Sequence, residues 1–589
     1  MNRDTPTAAI AYGLRAYGGL DRLVAGGAFP DVTGDLVDAI LAEASRFAEA
    51  ELLPLNRVGD RAGARYDAGK VTTPPGWPEA YRRWREAGWN GLGVPVSWGG
   101  QGMPVVVRMA VQEIWNAANP AFALSTLLTS SGIHALDAHA GDDLKRRFLP
   151  KLVAGEWTAT MDLTEPQAGS DLGRLTTRAE RAPEGTFRLF GQKIFITYGD
   201  HDLTENIVHL VLARIPGAPA GTSGISMFAV PKMLDDRVPN DLAAAGIEHK
   251  LGLHGSPTCT MVFGGLGEGA RGWLVGEENR GLACMFTMMN LARLNIGIQA
   301  VGVSAAACRQ ALGYAQVRRQ GRAPGVTSGT SPIVEHPDIQ RELLQMVTLT
   351  EASRALCLAC AEAMDMSATS PPADRQRWAD RASLLTPVAK AFATDAVVAV
   401  SSAAIQVHGG AGYVEATGVA QYLRDSRIFA IYEGTNGIQA IDLVTRRLKL
   451  GDGAAVAEVI AEIRHAAAEA EAVQRPGLGS AARQLRAAAD DLAAATAHLV
   501  RTLADGQSRA ALAVATPYLR LFALAFGLAL LAKGAGGARG EAAGRAAALA
   551  RFHAEFLAVD TGPLAATVVR GGGAVDQGAM LLGTGVPPE

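Results

Sequence analysis

The order in which two hydrophobic periodicities follow one another limits what this chain can fold into more than any other feature. From residue 1 to about 155, apolar side chains recur at three- and four-residue spacings, as at Leu36, Ile40 and Phe47, the pattern of amphipathic helices. After Trp157 and as far as about Gly276, short alternating runs take over. Phe187-Arg188-Leu189-Phe190 and Ile207-Val208-His209-Leu210-Val211-Leu212 are examples, separated by turn clusters, and they predict a small antiparallel sheet or barrel. Helical spacing resumes at about Gly281 and runs to Leu450, broken by the Gly/Ser/Thr/Pro-rich segment 321–332. The linker Gly451-Asp452-Gly453 then opens an alanine-rich segment that reads as a helical bundle ending in a Gly-rich tail. The expected fold is mainly α with a middle β-barrel, in four parts: helical 1–156, barrel 157–278, helical 279–450 and an extra helical module 451–589. A doubly wound α/β fold does not fit, because it alternates strand and helix throughout.

At 589 residues the chain is too long for a single core. Apolar residues at 48% and charged residues at 19% describe a folded chain, and a net charge of -3 lacks the basic excess of a general nucleic-acid binder. Five cysteines (259, 284, 308, 357 and 360) without framework spacing point to a reducing, cytoplasmic setting. Cys357 and Cys360 form a C-x-x-C pair, readable as a redox motif or as core packing; the Ala/Leu-rich helical surroundings favour packing. Met1-Asn2-Arg3-Asp4 opens no apolar signal core, and the apolar run Leu521 to Ala532 is too short to span a bilayer, so membrane insertion is not expected. No histidine has convincing metal-ligand spacing, and no metal is expected.

Three clusters carry chemistry. In Ile431-Tyr432-Glu433-Gly434-Thr435-Asn436-Gly437-Ile438-Gln439 a carboxylate sits between an aromatic residue and a glycine. Such a Glu is either a base whose pKa is raised by desolvation or a partly solvated acid near a helix start. In Met161-Asp162-Leu163-Thr164-Glu165-Pro166-Gln167-Ala168-Gly169-Ser170-Asp171 and Gly191-Gln192-Lys193-Ile194-Phe195-Ile196-Thr197 a strand meets a turn. Hydroxyls and backbone amides there can bond a heteroaromatic ring edge or a phosphate, or simply shape the turn. In Gln406-Val407-His408-Gly409-Gly410-Ala411-Gly412-Tyr413, consecutive glycines after a helix allow close backbone approach to a ligand, or form a C-cap. Gly264-Gly265-Leu266-Gly267-Glu268-Gly269 superficially matches a dinucleotide fingerprint but lies among strands with no following helix, so it reads as a turn.

Taken in order with the loop at 91–102, these clusters make the chain resemble the acyl-CoA dehydrogenases over roughly residues 35–450. These are FAD enzymes with a helical domain, a middle barrel and a second helical domain. The stretches His249 to Thr258, Met288 to Arg293 and Arg319 to Gly325, with the 454–589 module, are most similar to the long subfamily that includes 3-methylmercaptopropionyl-CoA dehydrogenase. The resemblance implies α,β-dehydrogenation of an acyl-CoA to the trans-2-enoyl-CoA, the acyl group being 3-methylthiopropanoyl or short- to medium-chain.

By the same resemblance, Glu433 would be the catalytic base, its backbone N–H and a flavin ribityl hydroxyl bonding the thioester oxygen, with Gly434 allowing close approach of substrate. Leu163 and Thr164 would bond the pyrimidine edge of the flavin, Phe195 and Thr197 would cover the ring near N5, and Arg318 would pair with the FAD diphosphate. Gln406 and Gly410 would reach FAD across a subunit interface, implying a homodimer or homotetramer; Thr435 and Asn436 would lie near the cofactor; Ser170 and Arg293 would serve the CoA portion. Electron-transferring flavoprotein would take the electrons. The chain departs from the family's usual residues at Asn290, Gly321 and Gly437, where Asp, Phe and Gln are common, and carries an insertion at 322–335 that obscures the alignment from Arg318 to His336. His336 reads as a helix-start residue. Rival readings are an acyl-CoA oxidase, a DNA-associated flavoprotein of the same fold and a non-catalytic scaffold. The DNA reading predicts a basic tail, yet residues 451–589 hold 12 Lys/Arg against 13 Asp/Glu, a net of -1.

Overall fold

The computed structural model describes residues 6–235, 237–473 and 476–584; Met1 to Asp4, read above for a signal, lie outside the described residues. The chain forms two compact units, one of residues 39–104 and 114–295, the other of residues 1–38, 105–113 and 296–589.

The first unit is built around the predicted barrel. Its strands are β1 (Arg65–Asp67), β2 (Lys70–Thr72), β3 (Trp157–Asp162), β4 (Arg178–Arg181), β5 (Phe187–Thr197), β6 (Asn206–Arg214), β7 (Ile225–Pro231), β8 (Leu242–Ile247), β9 (Thr258–Phe263) and β10 (Ala270–Val275). Strand β10 pairs with β7 and also with β5, so the path β10-β7-β6-β4-β5 closes on itself. Strands β9 and β8 extend the sheet from β5, and β3 runs parallel to β6 with Trp157 opposite Asn206. Phe187, Leu189, Phe228 and Phe263 fill the interior. Strand β6, read from the sequence as an alternating run, is instead buried on both faces, and its 207–212 stretch is a near-continuous apolar one. The helical part of this unit carries a dense aromatic core, with the Trp84 and Trp115 rings 4.6 Å apart and Phe47 edge-on to both.

The second unit is helical. The helix Gly281–Val317 enters it, followed by Pro337–Thr369 and Pro372–His408, each of the latter two opening with proline at a first-turn position, where its missing N–H costs nothing. Five more helices of ten residues or more form the alanine-rich module: Ala454–Val473, Ala481–Ala504, Ala515–Gly537, Gly540–Phe552 and Thr561–Gly578. The expected Gly-rich tail is instead helix: Gly571, Gly572 and Gly573 lie inside Thr561–Gly578. Tertiary packing overrides the weak propensity, since a Cβ on Gly572 would stand 2.9 Å from the Ala510 carbonyl oxygen. Helix Ala515–Gly537 contains the apolar run judged too short for a bilayer. Among the described residues it is one of four helices long and apolar enough by length and composition to cross one, and the apolar windows of these four are 67% to 94% buried inside the protein.

Candidate active site

In the barrel unit, the two stretches of the second sequence cluster are tied together by a buried ion pair. The Lys193 ammonium donates to Glu165 Oε1 at 2.8 Å and to the Leu163 carbonyl at 3.0 Å, and both charged side chains are essentially inaccessible. Glu165 also accepts from the backbone N–H and hydroxyl of both Thr176 and Thr177. Burial alone would raise its pKa, but the Lys193 charge and these bonds outweigh that and hold the carboxyl at about 2. Burial lowers the Lys193 pKa against the opposing pull of Glu165. The Ile194 N–H donates to the Thr164 carbonyl at 2.9 Å, so the end of β3 is stapled beside β5.

The β5 pairing with β9 is irregular between Lys193 and Ile196, and Phe195 lies in this bulge with φ +61°. A bulky residue held at positive φ marks local strain, which bulges beside binding sites commonly carry. Its phenyl ring is 58% exposed, in a unit that buries most of its large aromatics. Thr197 ends β5 two residues on and Thr164 follows the end of β3, and neither hydroxyl bonds another described residue. A presented aromatic face with flanking hydroxyls and backbone amides suits a flat heteroaromatic ring with a polar edge. Ser170 is exposed in the turn after β3. Arg293 is 5% exposed, with its guanidinium 5.9 Å from the Phe286 ring centre.

In the helical unit, the segment Tyr432 to Asn436 is a short irregular loop before the helix Asn436–Thr445. Glu433 has φ +55° and Gly434 φ +85°. The loop is fastened from behind. Lys390, fully buried, donates to the Gly434 carbonyl at 3.0 Å and to Asn436 Oδ1 at 2.9 Å. Gln439 Nε2 donates to the carbonyls of Glu433 at 3.2 Å and Gly434 at 3.3 Å. Asn436 Nδ2 donates to Asp395 at 2.7 Å and to Thr394, so its side chain faces the helix Pro372–His408. Burial raises the Asp395 pKa, opposed by the Asn436 hydrogen bond and the Lys390 charge. Thr435 Oγ1 caps the following helix by accepting from the Ile438 N–H at 3.3 Å. These bonds hold a half-buried carboxylate in a conformation that a free chain would avoid.

Tyr432, next to Glu433, stacks beside Phe429 and donates its hydroxyl to Gln299 Oε1. Burial, then the Glu433 charge, pushes its phenol pKa well up, so it stays a donor. Lys390, Asp395 and Gln299 lie on other helices, and reading the sequence did not single them out. Gln439 appeared there only as the end of its motif.

The remaining candidates lie elsewhere in the same unit. Arg318 is exposed where the helix Gly281–Val317 ends. The insertion after it is a hairpin-like loop, closed by Gln320 N–H to Ser331 O and Ser331 N–H to Gly321 O, both 3.0 Å. Gly321 turns here at φ +61°, which explains why the family's side chain is missing: a Phe would be strained at this backbone angle. His336 bonds the Gln320 carbonyl at 2.8 Å and precedes the helix Pro337–Thr369. Gln406 and Gly410 are exposed at the end of Pro372–His408, beside Tyr413, which is 90% exposed. Cys357 and Cys360 are fully buried, and burial pushes the Cys360 thiol up to about 12, a state unfit for redox exchange. In the barrel unit, the Gly264–Gly269 segment is the turn from β9 to β10, held by Asp241, which accepts from Leu266, Glu268 and Gly269 N–H groups.

Comparison with known proteins defines the class. Models of the acyl-CoA dehydrogenase N-terminal, middle and C-terminal domains match residues 36–156, 160–266 and 279–449, and an acetyl-CoA dehydrogenase C-terminal-like model matches 459–576. The chain therefore belongs to the acyl-CoA dehydrogenase family, FAD-dependent oxidoreductases acting on acyl-CoA. Among its relatives, the 3-methylmercaptopropionyl-CoA dehydrogenase of Ruegeria pomeroyi is 43% identical over 501 residues, 84% of each chain. The broad-specificity linear acyl-CoA dehydrogenase FadE5 of Mycobacterium tuberculosis is 35% identical, covering 76% of this chain and 75% of its own. In fold, the chain is similar to butyryl-CoA dehydrogenase of Megasphaera elsdenii, with TM-score 0.58 and 27% identity over 70% of this chain and 98% of that one. It also matches Caenorhabditis elegans ACDH-11 in complex with C11-CoA, with TM-score 0.71 and 21% identity over 93% and 90%. The last likeness includes the C-terminal module in the shared fold.

Proposed function

We propose that the protein oxidises 3-methylthiopropanoyl-CoA or another short acyl-CoA to the trans-2-enoyl-CoA, with Glu433 removing the α proton. The observation that carries this reading is the Glu433 loop, whose positive-φ backbone is fixed by Lys390 and Gln439. The α proton of a thioester is weakly acidic, so the base must be held at a fixed distance while the carbonyl is polarised. FAD, when bound, supplies a two-electron acceptor for the hydride leaving Cβ. Phe195, Thr164 and Thr197 would hold its ring, and Arg318, Gln406 and Gly410 its diphosphate and outer portion. Ser170 and Arg293 would serve the CoA portion.

The particular acyl group follows the relative at 43% identity. Electron-transferring flavoprotein is the proposed acceptor; an acyl-CoA oxidase would instead yield one hydrogen peroxide per turnover, which a peroxide assay separates. The exposed Gln406, Gly410 and Tyr413 surface supports assembly into a homodimer or homotetramer, and the free, buried cysteines support a cytoplasmic setting. Glu433→Gln should retain FAD, read from its visible absorbance, while anaerobic bleaching by acyl-CoA falls by about 10³-fold or more. Near-normal bleaching in that variant would remove Glu433 from the role. A panel of acyl-CoAs on the native enzyme ranks the acyl groups, and failure of every one would end the dehydrogenase reading.

A further inference from the structure

The side-chain amide of Asn436 lies between two opposite charges. Its Oδ1 accepts from the Lys390 ammonium at 2.9 Å. Its Nδ2 donates to Asp395 Oδ1 at 2.7 Å and to the Ala391 carbonyl at 3.2 Å. An ammonium only donates, and a carboxylate or a carbonyl only accepts, so these neighbours fix which end of the amide is which. Thr394 Oγ1, 3.0 Å from Nδ2, donates to the Lys390 carbonyl at 2.8 Å and accepts from the amide. The same Lys390 ammonium donates to the Gly434 carbonyl at 3.0 Å, so a series of bonds runs from Asp395 through Asn436 and Lys390 to the residue after Glu433. Turned over, the amide would point its NH2 at a fully buried ammonium, and Lys390 would lose one of the acceptors that keep it beside the loop.

Asp395 is the member of this series that can both change charge and reach water. It is exposed on the helix Pro372–His408, whereas Lys390 is sealed. Desolvation by its neighbours raises its pKa and brings its titration closer to neutrality; the Asn436 hydrogen bond opposes this, followed by the charges of Lys390, Arg520 and Arg427. Those charges come from its own helix, from Ala515–Gly537 and from the turn Arg427–Ala430, while the helix Asn436–Thr445 presents the neutral Asn436.

We infer that Asp395 is a positioning residue for the proposed base: its carboxylate, by accepting from Asn436, secures the Lys390 contact that holds the Glu433 loop. The inference rests on the reading of Glu433 as the base and adds the group that tunes its loop. Protonation takes the charge out of the Asn436 bond and leaves a neutral, weaker acceptor. As pH falls through the pKa of Asp395, the loop loosens, and removal of the α proton should slow by about 3- to 10-fold.

The test is stopped-flow flavin reduction by acyl-CoA in the full-length holoenzyme, the native form beside Asp395→Asn. The variant keeps an acceptor for Asn436 and cannot ionise, so it stands for the protonated carboxyl at every pH. Titration of Glu433 itself acts on both proteins and cancels in the ratio of their rates. That ratio should be about 3 to 10 near pH 8 and should shrink as the pH is lowered toward about 4.5, with acyl-CoA affinity unchanged within about twofold. Asp395→Glu, which keeps the charge, should keep the pH dependence. Hydrogen exchange of the peptide 432–439, corrected for intrinsic rates, reads the loop without turnover. Its protection should fall with pH in the native enzyme and stay low throughout in Asp395→Asn; the native series alone covers a variant that does not fold. A rate ratio that is the same at every pH, or native loop protection indifferent to pH, overturns the inference and leaves the base reading in place. Normal bleaching by Glu433→Gln overturns both.

Discussion

Lys390 shows how one side chain can set the geometry of a loop it does not belong to. A buried ammonium is costly unless its donors are satisfied, and Lys390 satisfies two of them on the Gly434 carbonyl and Asn436 Oδ1. Those two atoms flank the turn that carries Glu433, so the Lys390 bonds position the proposed base without needing to touch substrate. Lys390→Met should therefore slow anaerobic flavin reduction by every acyl-CoA to a similar degree, by about 10- to 100-fold, since small misplacements of reacting groups carry penalties of that order. Stopped-flow reduction with a short and a longer acyl-CoA measures it; a loss confined to one substrate would make Lys390 a specificity residue instead, and no loss would remove it from the site. The contiguous part of the candidate site, Tyr432 to Asn436, could be singled out in the sequence because one short loop holds it. Lys390, Asp395 and Gln299 were not, because an isolated Lys, Asp or Gln inside a long helix carries no local signal of the loop it meets. Asn436 was expected near the cofactor, and its side chain is engaged with Thr394 and Asp395.

Among the elements, the helix Val105–Ala118 begins at Pro104 with no side-chain cap of its own. The cap comes from another helix: Asp365 accepts from the N–H groups of Val105 at 2.8 Å and Val106 at 3.0 Å. Burial pushes the Asp365 carboxyl up to about 7, even though these N–H groups and Arg108 favour its charge; Glu362 adds to the rise. The sign follows from an unfolded pKa near ~3.9. Between about pH 4 and pH 7 the folded chain holds a proton that the unfolded chain has released, so this group's contribution to stability falls as pH rises through that window. At ~1.4 kcal/mol per unit the change is about 4 kcal/mol at most. Asp365→Asn should flatten the decline in Tm between pH 5 and pH 8 relative to the native chain, and parallel declines would refute the assignment. Long elements such as this helix, and strands of six residues or more, declare their period in the sequence. The hairpin of β1 and β2 went unread in a stretch expected to be helical, because three-residue strands are too short to establish an alternation.

At the scale of the whole chain, the alanine-rich module packs on the preceding helices chiefly through one of its own. Ala515–Gly537 packs against Pro337–Thr369, against Pro372–His408 and against Asn436–Thr445, the helix that follows the Glu433 loop. Tyr518, Leu521, Phe522 and Leu528 are completely buried there, and Arg381 lies over the Phe526 ring. Two ion pairs, Arg377 with Glu458 and Arg381 with Glu462, join the same helix Pro372–His408 to Ala454–Val473. Surface pairs of this kind add little to stability, so the apolar contact has to carry the attachment. Removing residues 451–589 would uncover that face on three helices at once and withdraw the support behind Asn436–Thr445. A chain ending at residue 450 should therefore be mostly insoluble when expressed alone, and any soluble fraction should reduce its flavin with acyl-CoA at least about tenfold more slowly than the full chain, because the loop behind the base is no longer braced. Co-expression of 451–589 as a separate chain should restore solubility if packing is the module's contribution. A soluble 1–450 enzyme with the native rate of flavin reduction would instead make the module an appendage with a task of its own.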